Sequence, residues 1–158
     1  MSDGPEHPAV ARVRDHAAAR GLDIRTLRFP VGTHTAVDAA RAIGCEVGRI
    51  VKSLVFEADG ATIVVLCSGA DRIDEALLRA AVGAAHVRRA TADEARRATG
   101  YVIGGVPPFG HGCPVLVDQR LLAFDLVWAA AGLPDTVFAI APADLERVSG
   151  ARTAAVAR

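Results

Sequence analysis

The chain has 158 residues, 32 of them alanine and 15 glycine, and its 18 basic and 18 acidic residues cancel to a net charge of zero. That length makes one ordinary domain over residues 1–158, with room for a buried core. A neutral chain argues against gripping DNA or any long nucleic acid by bulk electrostatics, and no window approaches the roughly 18 apolar residues of a membrane span.

The first predicted element is a helix over residues 7–20, with Val10, Val13 and Ala17 at helical spacing and Gly21 as its stop. Ile24 to Phe29 alternates and is short, which favours a strand. Thr35 with Asp38 three residues on resembles a capping box and opens a helix through Ile43, stopped by Gly44. Ile50–Glu57 and Ala61–Ser68 are rich in β-branched residues and flank Asp59-Gly60, a strong hairpin signal. A helix over 74–82 follows. Thr91 and Glu94 form a second capping box for a short helix ending at Gly100. Three strands follow, over 115–118, 126–130 and 136–140. Pro142 then opens a last helix over 142–148. Interleaved strands, helices and a hairpin imply a mixed α/β (α+β) fold: a mixed sheet or partly closed β-barrel surrounded by helices.

Charged Asp3 and Glu6 precede any apolar stretch, which is unlike a secretory signal. The three cysteines, Cys45, Cys67 and Cys113, have no CxxC spacing, so neither a disulfide framework nor a zinc site follows. They read as small core residues of a protein in the reducing cytoplasm. No metal and no cofactor is expected.

The 18 basic residues comprise 17 arginines and one lysine, Lys52, set inside the apolar run Ile50–Phe56. Strand alternation places Lys52 on one face with Ile50, Leu54 and Phe56, opposite Val51, Ser53 and Val55. Burying an unpaired ammonium costs several kcal/mol, so it must snorkel to an edge or meet an anion. Arginine serves everywhere else for surface charge. A compact point charge that reaches a phosphate is what arginine cannot copy. Schiff-base chemistry on a carbonyl compound is the other use of a lone lysine.

Residues 100–114 hold five glycines and three prolines, a tightly turned loop rather than a flexible linker. Such a loop can aim backbone N–H groups at a carbonyl oxygen or phosphate, and a purely structural turn accounts for the composition as well. GxxxxGK[ST] and GxGxxG are both absent. His111 and Cys113 read as a surface histidine and a buried cysteine, and His34 as a capping-region residue. The pairs Arg88-Arg89 and Arg96-Arg97 fit either phosphates at the mouth of a site or a solvated helical face. No HExxH, GxSxG or carboxylate pair is present.

Two segments, Gly44–Phe56 around Lys52 and Thr99–Gly110 with Gly104 and Pro108 as a GxxxP element, resemble the YbaK/EbsC family. This family of editing domains is related to the insertion domain of bacterial prolyl-tRNA synthetase. The resemblance runs from His7 to the last helix. It implies a deacylase that hydrolyses the ester joining a mischarged amino acid to the 3′ acceptor end of tRNA, with prolyl-tRNA synthetase as a partner. Lys52 would hold a phosphate of the terminal nucleotide, and Gly104, Gly105 and Val106 would turn backbone N–H groups toward the ester carbonyl. Water or a group on the substrate would supply the proton chemistry. Leu27, Thr35, Ser53 and Pro108 fall where family members bind substrate, a small pocket suited to alanine, cysteine, serine or 2-aminobutyrate.

The sequence departs from the family at two points. Pro107 stands where a loop serine is common, and no acidic pocket residue is matched around 135–137. Both weaken strict cysteine specificity, and Pro107 keeps open a module that binds the tRNA end or a synthetase without turning substrate over.

Overall fold

The computed structural model describes residues 6–29 and 35–158. The hairpin organises it. Asp59 and Gly60 take φ of 48° and 85°, the pair of positive values that a two-residue turn between twisted strands requires. Around it β2 (Val51–Ala58) and β3 (Ala61–Ser68) pair antiparallel in unbroken register from Val51↔Ser68 to Ala58↔Ala61. β5 (Val115–Asp118) and β8 (Arg152–Ala154) extend this sheet in parallel beyond β3, and β4 (Val87–Arg89) closes the other side, in the order β4-β2-β3-β5-β8. A second, antiparallel sheet has the order β1-β7-β6, from Thr26–Arg28, Thr136–Ile140 and Val127–Ala130. Among the described residues a parallel bridge, Ile50 to Trp128, joins the sheets. They do not close into a barrel.

Five α-helices surround the sheets: α1 (Pro8–Ala18), α2 (Ala36–Ile43), α3 (Glu75–Val82), α4 (Ala92–Thr99) and α5 (Pro142–Ser149). Their ends obey local chemistry. Thr35 Oγ1 accepts from the Asp38 N–H, Thr91 and Glu94 form a reciprocal capping box, and Gly44, Gly83, Gly100 and Gly150 end helices in the left-handed conformation.

The larger sheet is apolar on both faces, which is why β3 reads as a continuous apolar run. One face packs Val51, Val55, Val64, Leu66 and Val117 against Val13 and Ala17 of α1 and Phe138 of β7. The other packs Phe56, Val65 and Leu116 under Leu78 of α3, with Leu54 at its margin. Asp118 is a fully buried carboxylate with its acceptors used: Oδ1 takes the Val156 and Ala157 N–H groups and Oδ2 that of Arg120. It pins the segment after β8, as a buried carboxylate must be satisfied.

Arg88 and Arg89 sit on strand β4, not on the helical face considered above, because β4 completes the edge of β2 through Phe56↔Arg89 and Glu57↔Arg88. Arg96 and Arg97 do lie on a helix, the exposed side of α4. His111 is half-buried rather than at the surface. His34 lies outside the described residues. Among those described, no helix is long and apolar enough to cross a membrane.

Candidate active site

A cavity of about 270 Å³ opens where β2, the start of α2, the glycine loop and the strands of the smaller sheet meet. Its walls bring together Lys52 and Ser53 of β2, Thr35 at the N-terminus of α2, and Gly104 and Val106 of the loop. Apolar side chains complete it, among them Ala39, Val55, Ile103, Trp128, Pro134 and Val137. Of the positions singled out from sequence, Leu27, Gly105 and Pro108 do not line it. Leu27 is exposed on β1 opposite Val137, while Gly105 and Pro108 are buried behind the wall. Pro107 is also buried outside the lining.

The loop's conformation depends on its glycines at two positions. Gly104 has φ of 87°, a left-handed value that a side chain disfavours. Gly105 is needed for space: a Cβ there would stand 2.9 Å from both the Gly132 carbonyl oxygen and Leu133 Cα. Gly132 in turn presses on α1, with 2.7 Å between a Cβ placed there and the Ala9 carbonyl oxygen. The loop therefore rests on a backbone-to-backbone stack braced by α1. The Gly105 N–H is used in this turn, donating to the Val102 carbonyl at 2.9 Å. No hydrogen bond among the described residues engages the N–H of Gly104 or of Val106. These two donors, not that of Gly105, remain available to an oxyanion.

Lys52 is half-buried and its Nζ donates to the Asp71 carbonyl oxygen, leaving two N–H donors. The Asp71 carboxylate is engaged by Arg120 at 3.3 Å. Arg89 joins Lys52 in the lining, with its guanidinium 5.6 Å from the Phe56 ring centre. No carboxylate pairs with Arg89 among the described residues. From sequence, Arg89 was not separated from Arg88, Arg96 and Arg97 as a candidate for phosphate contact. Its only signal was a pair of arginines, which does not reveal that a short strand pairs Arg89 with Phe56 and so brings it into the same lining as Lys52.

Ser53 carries a more specific mark. Its Oγ is buried without a hydrogen-bond partner, an arrangement that costs about 1–3 kcal/mol unless a ligand satisfies it. Its backbone is open as well. The Val55 carbonyl accepts from the Ala90 N–H, so the odd-numbered residues of β2 turn their polar groups away from β3. β4 pairs only with Phe56 to Ala58, which leaves the edge at Ser53 facing the cavity.

No carboxylate, histidine or cysteine lines the cavity among the described residues. The cysteines are poor nucleophiles. Burial pushes the Cys67 thiol up to about 11, although the Lys52 ammonium across the hairpin pulls the other way, and burial also raises Cys45 and Cys113. His111 and Cys113 form no dyad. The His111 Nδ1 accepts from the Cys113 backbone N–H at 3.0 Å, and the Cys113 thiol donates to the Ala98 carbonyl. Burial lowers His111 to about 4. No group of three or more metal-ligating side chains occurs among the described residues. Among the described residues the site can hold an anion, polarise a carbonyl and accept a small apolar group, and none of its lining side chains is a carboxylate, histidine or cysteine base.

The sequence profile of the aminoacyl-tRNA editing domain matches residues 31–148. The uncharacterized protein YwhH of Bacillus subtilis is 31% identical over 144 residues, 89% of this chain and 91% of its own length. The proline–tRNA ligase of Solidesulfovibrio magneticus is 34% identical over 101 residues, covering 63% of this chain but only 18% of the ligase. A crystal structure provisionally described as a trans-editing enzyme for prolyl tRNA synthetase superposes with a TM-score of 0.91 at 39% identity, covering 98% of this chain and 99% of the other. The chain belongs to the aminoacyl-tRNA editing domain family.

Proposed function

We propose that this protein is a trans-acting aminoacyl-tRNA deacylase of the cytoplasm, serving prolyl-tRNA synthetase by hydrolysing a mischarged small amino acid from the 3′ acceptor end of tRNA(Pro). The observation that carries this reading is one cavity combining a lone lysine, an unsatisfied serine hydroxyl and two loop N–H groups without acceptors. Similarity over nearly the full length of a trans-editing structure supports the free-standing form, and the match to proline–tRNA ligases supports the tRNA.

In this reading Lys52 holds the phosphate of the terminal nucleotide and so fixes the ribose. The Gly104 and Val106 N–H groups face the ester carbonyl oxygen and stabilise the negative charge it gains. A water oxygen bonds to the carbonyl carbon, the bond to the ribose oxygen breaks, and the water proton passes to that oxygen through solvent or the neighbouring ribose hydroxyl. An activated ester needs little more than positioning and carbonyl polarisation, and each oxyanion donor is worth roughly 10²–10³ in rate. The lack of a carboxylate, histidine or cysteine among the described lining residues is consistent with this chemistry.

Thr35 and Ser53 are the polar groups of an otherwise apolar amino-acid pocket closed by Ala39, Val55 and Val137. It suits alanine, serine, cysteine or 2-aminobutyrate. One methylene in such a pocket is worth about 1–3 kcal/mol, so related substrates differ by modest factors.

The test is hydrolysis of tRNA(Pro) charged separately with these amino acids and with proline. The wild type should release at least one small amino acid and spare proline, and Lys52→Ala should abolish release. Binding of the RNA without release of any of them would overturn the enzymatic reading in favour of an inactive acceptor-end module. Lys52→Arg at full activity would overturn the compact-charge argument while leaving the function intact.

A further inference from the structure

A second concavity, about 650 Å³, lies on the α3 side of the larger sheet and shares Lys52, Leu54 and Arg89 with the cavity above. Lys52, Arg72, Arg79, Arg89 and Arg158 line it against only two carboxylates, those of Asp74 and Glu75. Asp74 is already committed. Its Oδ1 accepts from the Ala76 and Leu77 N–H groups, and its Oδ2 lies 3.7 Å from Arg158. No carboxylate pairs with Arg72, Arg79 or Arg89 among the described residues. A chain of zero net charge thus concentrates a surplus of three positive charges in one groove.

We infer that this groove is a phosphodiester track: Arg72 and Arg79 bind the backbone phosphates of the RNA strand that leads into the terminal nucleotide. The inference rests on the proposed function, since it is the nucleotide at Lys52 that fixes where the strand must leave. Lys52, Leu54 and Arg89 line both concavities, and the other walls of the cavity are largely apolar, so the groove on the far side of these residues is the polar side on which a strand would leave. Its only aromatic side chain, Phe56, is buried beneath Arg89. No stacking platform is therefore offered to the bases. Recognition here is of charge spacing rather than sequence.

The probe is an uncharged RNA hairpin with the acceptor-stem sequence of tRNA(Pro) and its single-stranded ACCA tail, with affinity measured as a function of salt on the full chain. Arg72→Gln/Arg79→Gln removes two phosphate contacts. It should weaken binding about tenfold at low salt and reduce the slope of log K against log salt by roughly 1.4, the single-strand value for two charges. Arg96→Gln/Arg97→Gln, from the exposed side of α4 and lining neither concavity, is the charge-matched control and should leave both readouts near wild type. Unchanged affinity and slope in the groove variant would overturn the proposal, as would an equal loss in the control. Binding is read on uncharged RNA, so the groove is judged independently of turnover. Failure of the wild type to deacylate any charged tRNA would instead count against the proposed function.

Discussion

Replacing Gly105 by alanine separates close packing from backbone conformation. Gly105 is not among the positive-φ glycines, so alanine can adopt its φ and ψ and only the added methyl group matters. That methyl would lie 2.9 Å from the Gly132 oxygen, 2.9 Å from Leu133 Cα and 3.0 Å from the Leu133 carbonyl carbon. All three are backbone atoms, and ordinary carbon contacts are about 3.5–4.0 Å. One of the two segments must therefore shift by roughly half an ångström or more. The other side cannot yield easily, because Gly132 is itself pressed against the Ala9 carbonyl of α1. Overpacking of this kind costs about 1–3 kcal/mol.

The displacement falls on Gly104 and Val106, whose N–H groups face the reacting carbonyl in the proposed chemistry. A misplacement near 1 Å can cost on the order of 10²-fold in rate. Urea unfolding and single-turnover deacylation read the two effects separately. The comparison is Gly104→Ala, where the nearest atoms are Pro134 carbons at 3.7 and 3.8 Å but φ is 87°. There the penalty is backbone strain of about 1–2 kcal/mol with little steric push. A Gly105→Ala protein within about 0.5 kcal/mol of wild type and with an unchanged rate would refute the idea that the stack positions the loop.

Ser53→Ala should leave the free protein as stable as wild type or slightly more stable by urea unfolding, because it deletes a buried hydroxyl without a partner. The same change should slow deacylation or shift preference among small amino acids; a destabilisation above about 1 kcal/mol would show that the hydroxyl is satisfied in the free protein. The depressed His111, lowered to about 4 from 6.5 mainly by burial, makes the unfolded chain bind more protons between those values. Stability should therefore rise with pH through that window and be lost as pH falls from about 6.5 toward 4, by about 3 kcal/mol at most. His111→Asn keeps an acceptor near the Nδ1 position for the Cys113 N–H and should flatten that dependence in pH-resolved urea titrations; an unaltered slope would assign it elsewhere.

The hairpin, the Thr91–Glu94 capping box and the five helices were legible because each rests on a local signal: Asp59-Gly60, Thr91 with Glu94, or a glycine at a helix end. β4 and β8 were not, since each has three residues and exists only because a longer strand offers it an edge. The site divides in the same way. The composition marked Lys52, and strand phase placed it with Leu54 and Phe56, on the side of the larger sheet that α3 covers, whereas Ile50, expected on the same face, precedes β2 and packs with Ala39 and Val137. Phase also placed Ser53 on the face opposite Lys52, yet both line one cavity. The reason is tertiary: among the described residues β2 has, on its β4 side, no paired strand between Phe56 and the Ile50–Trp128 bridge, and residues of the glycine loop line the cavity there. Leu27 and Pro108 fell outside the lining for a related reason. An approximate match to family positions does not say which side of a wall a residue occupies.

Charge shows how a neutral protein can still address RNA. Arg14, Arg28, Arg49, Arg88, Arg120 and Arg147 each sit within an ion pair on the surface, with Glu6, Asp135, Asp125, Glu94, Asp71 and Asp144. Exposed pairs of this kind add little to stability. Their consequence is electrostatic: each paired arginine contributes little field beyond a Debye length of about 8–10 Å. The charges that remain uncompensated in the groove, Arg72, Arg79 and Arg89, adjoin Lys52 and the cavity. On the proposed reading, a strand end entering the cavity meets positive charge along its exit. On that reading too, neutrality overall and attraction at one groove favour the end of an RNA over its length, the discrimination that a deacylase acting on a terminal ester needs.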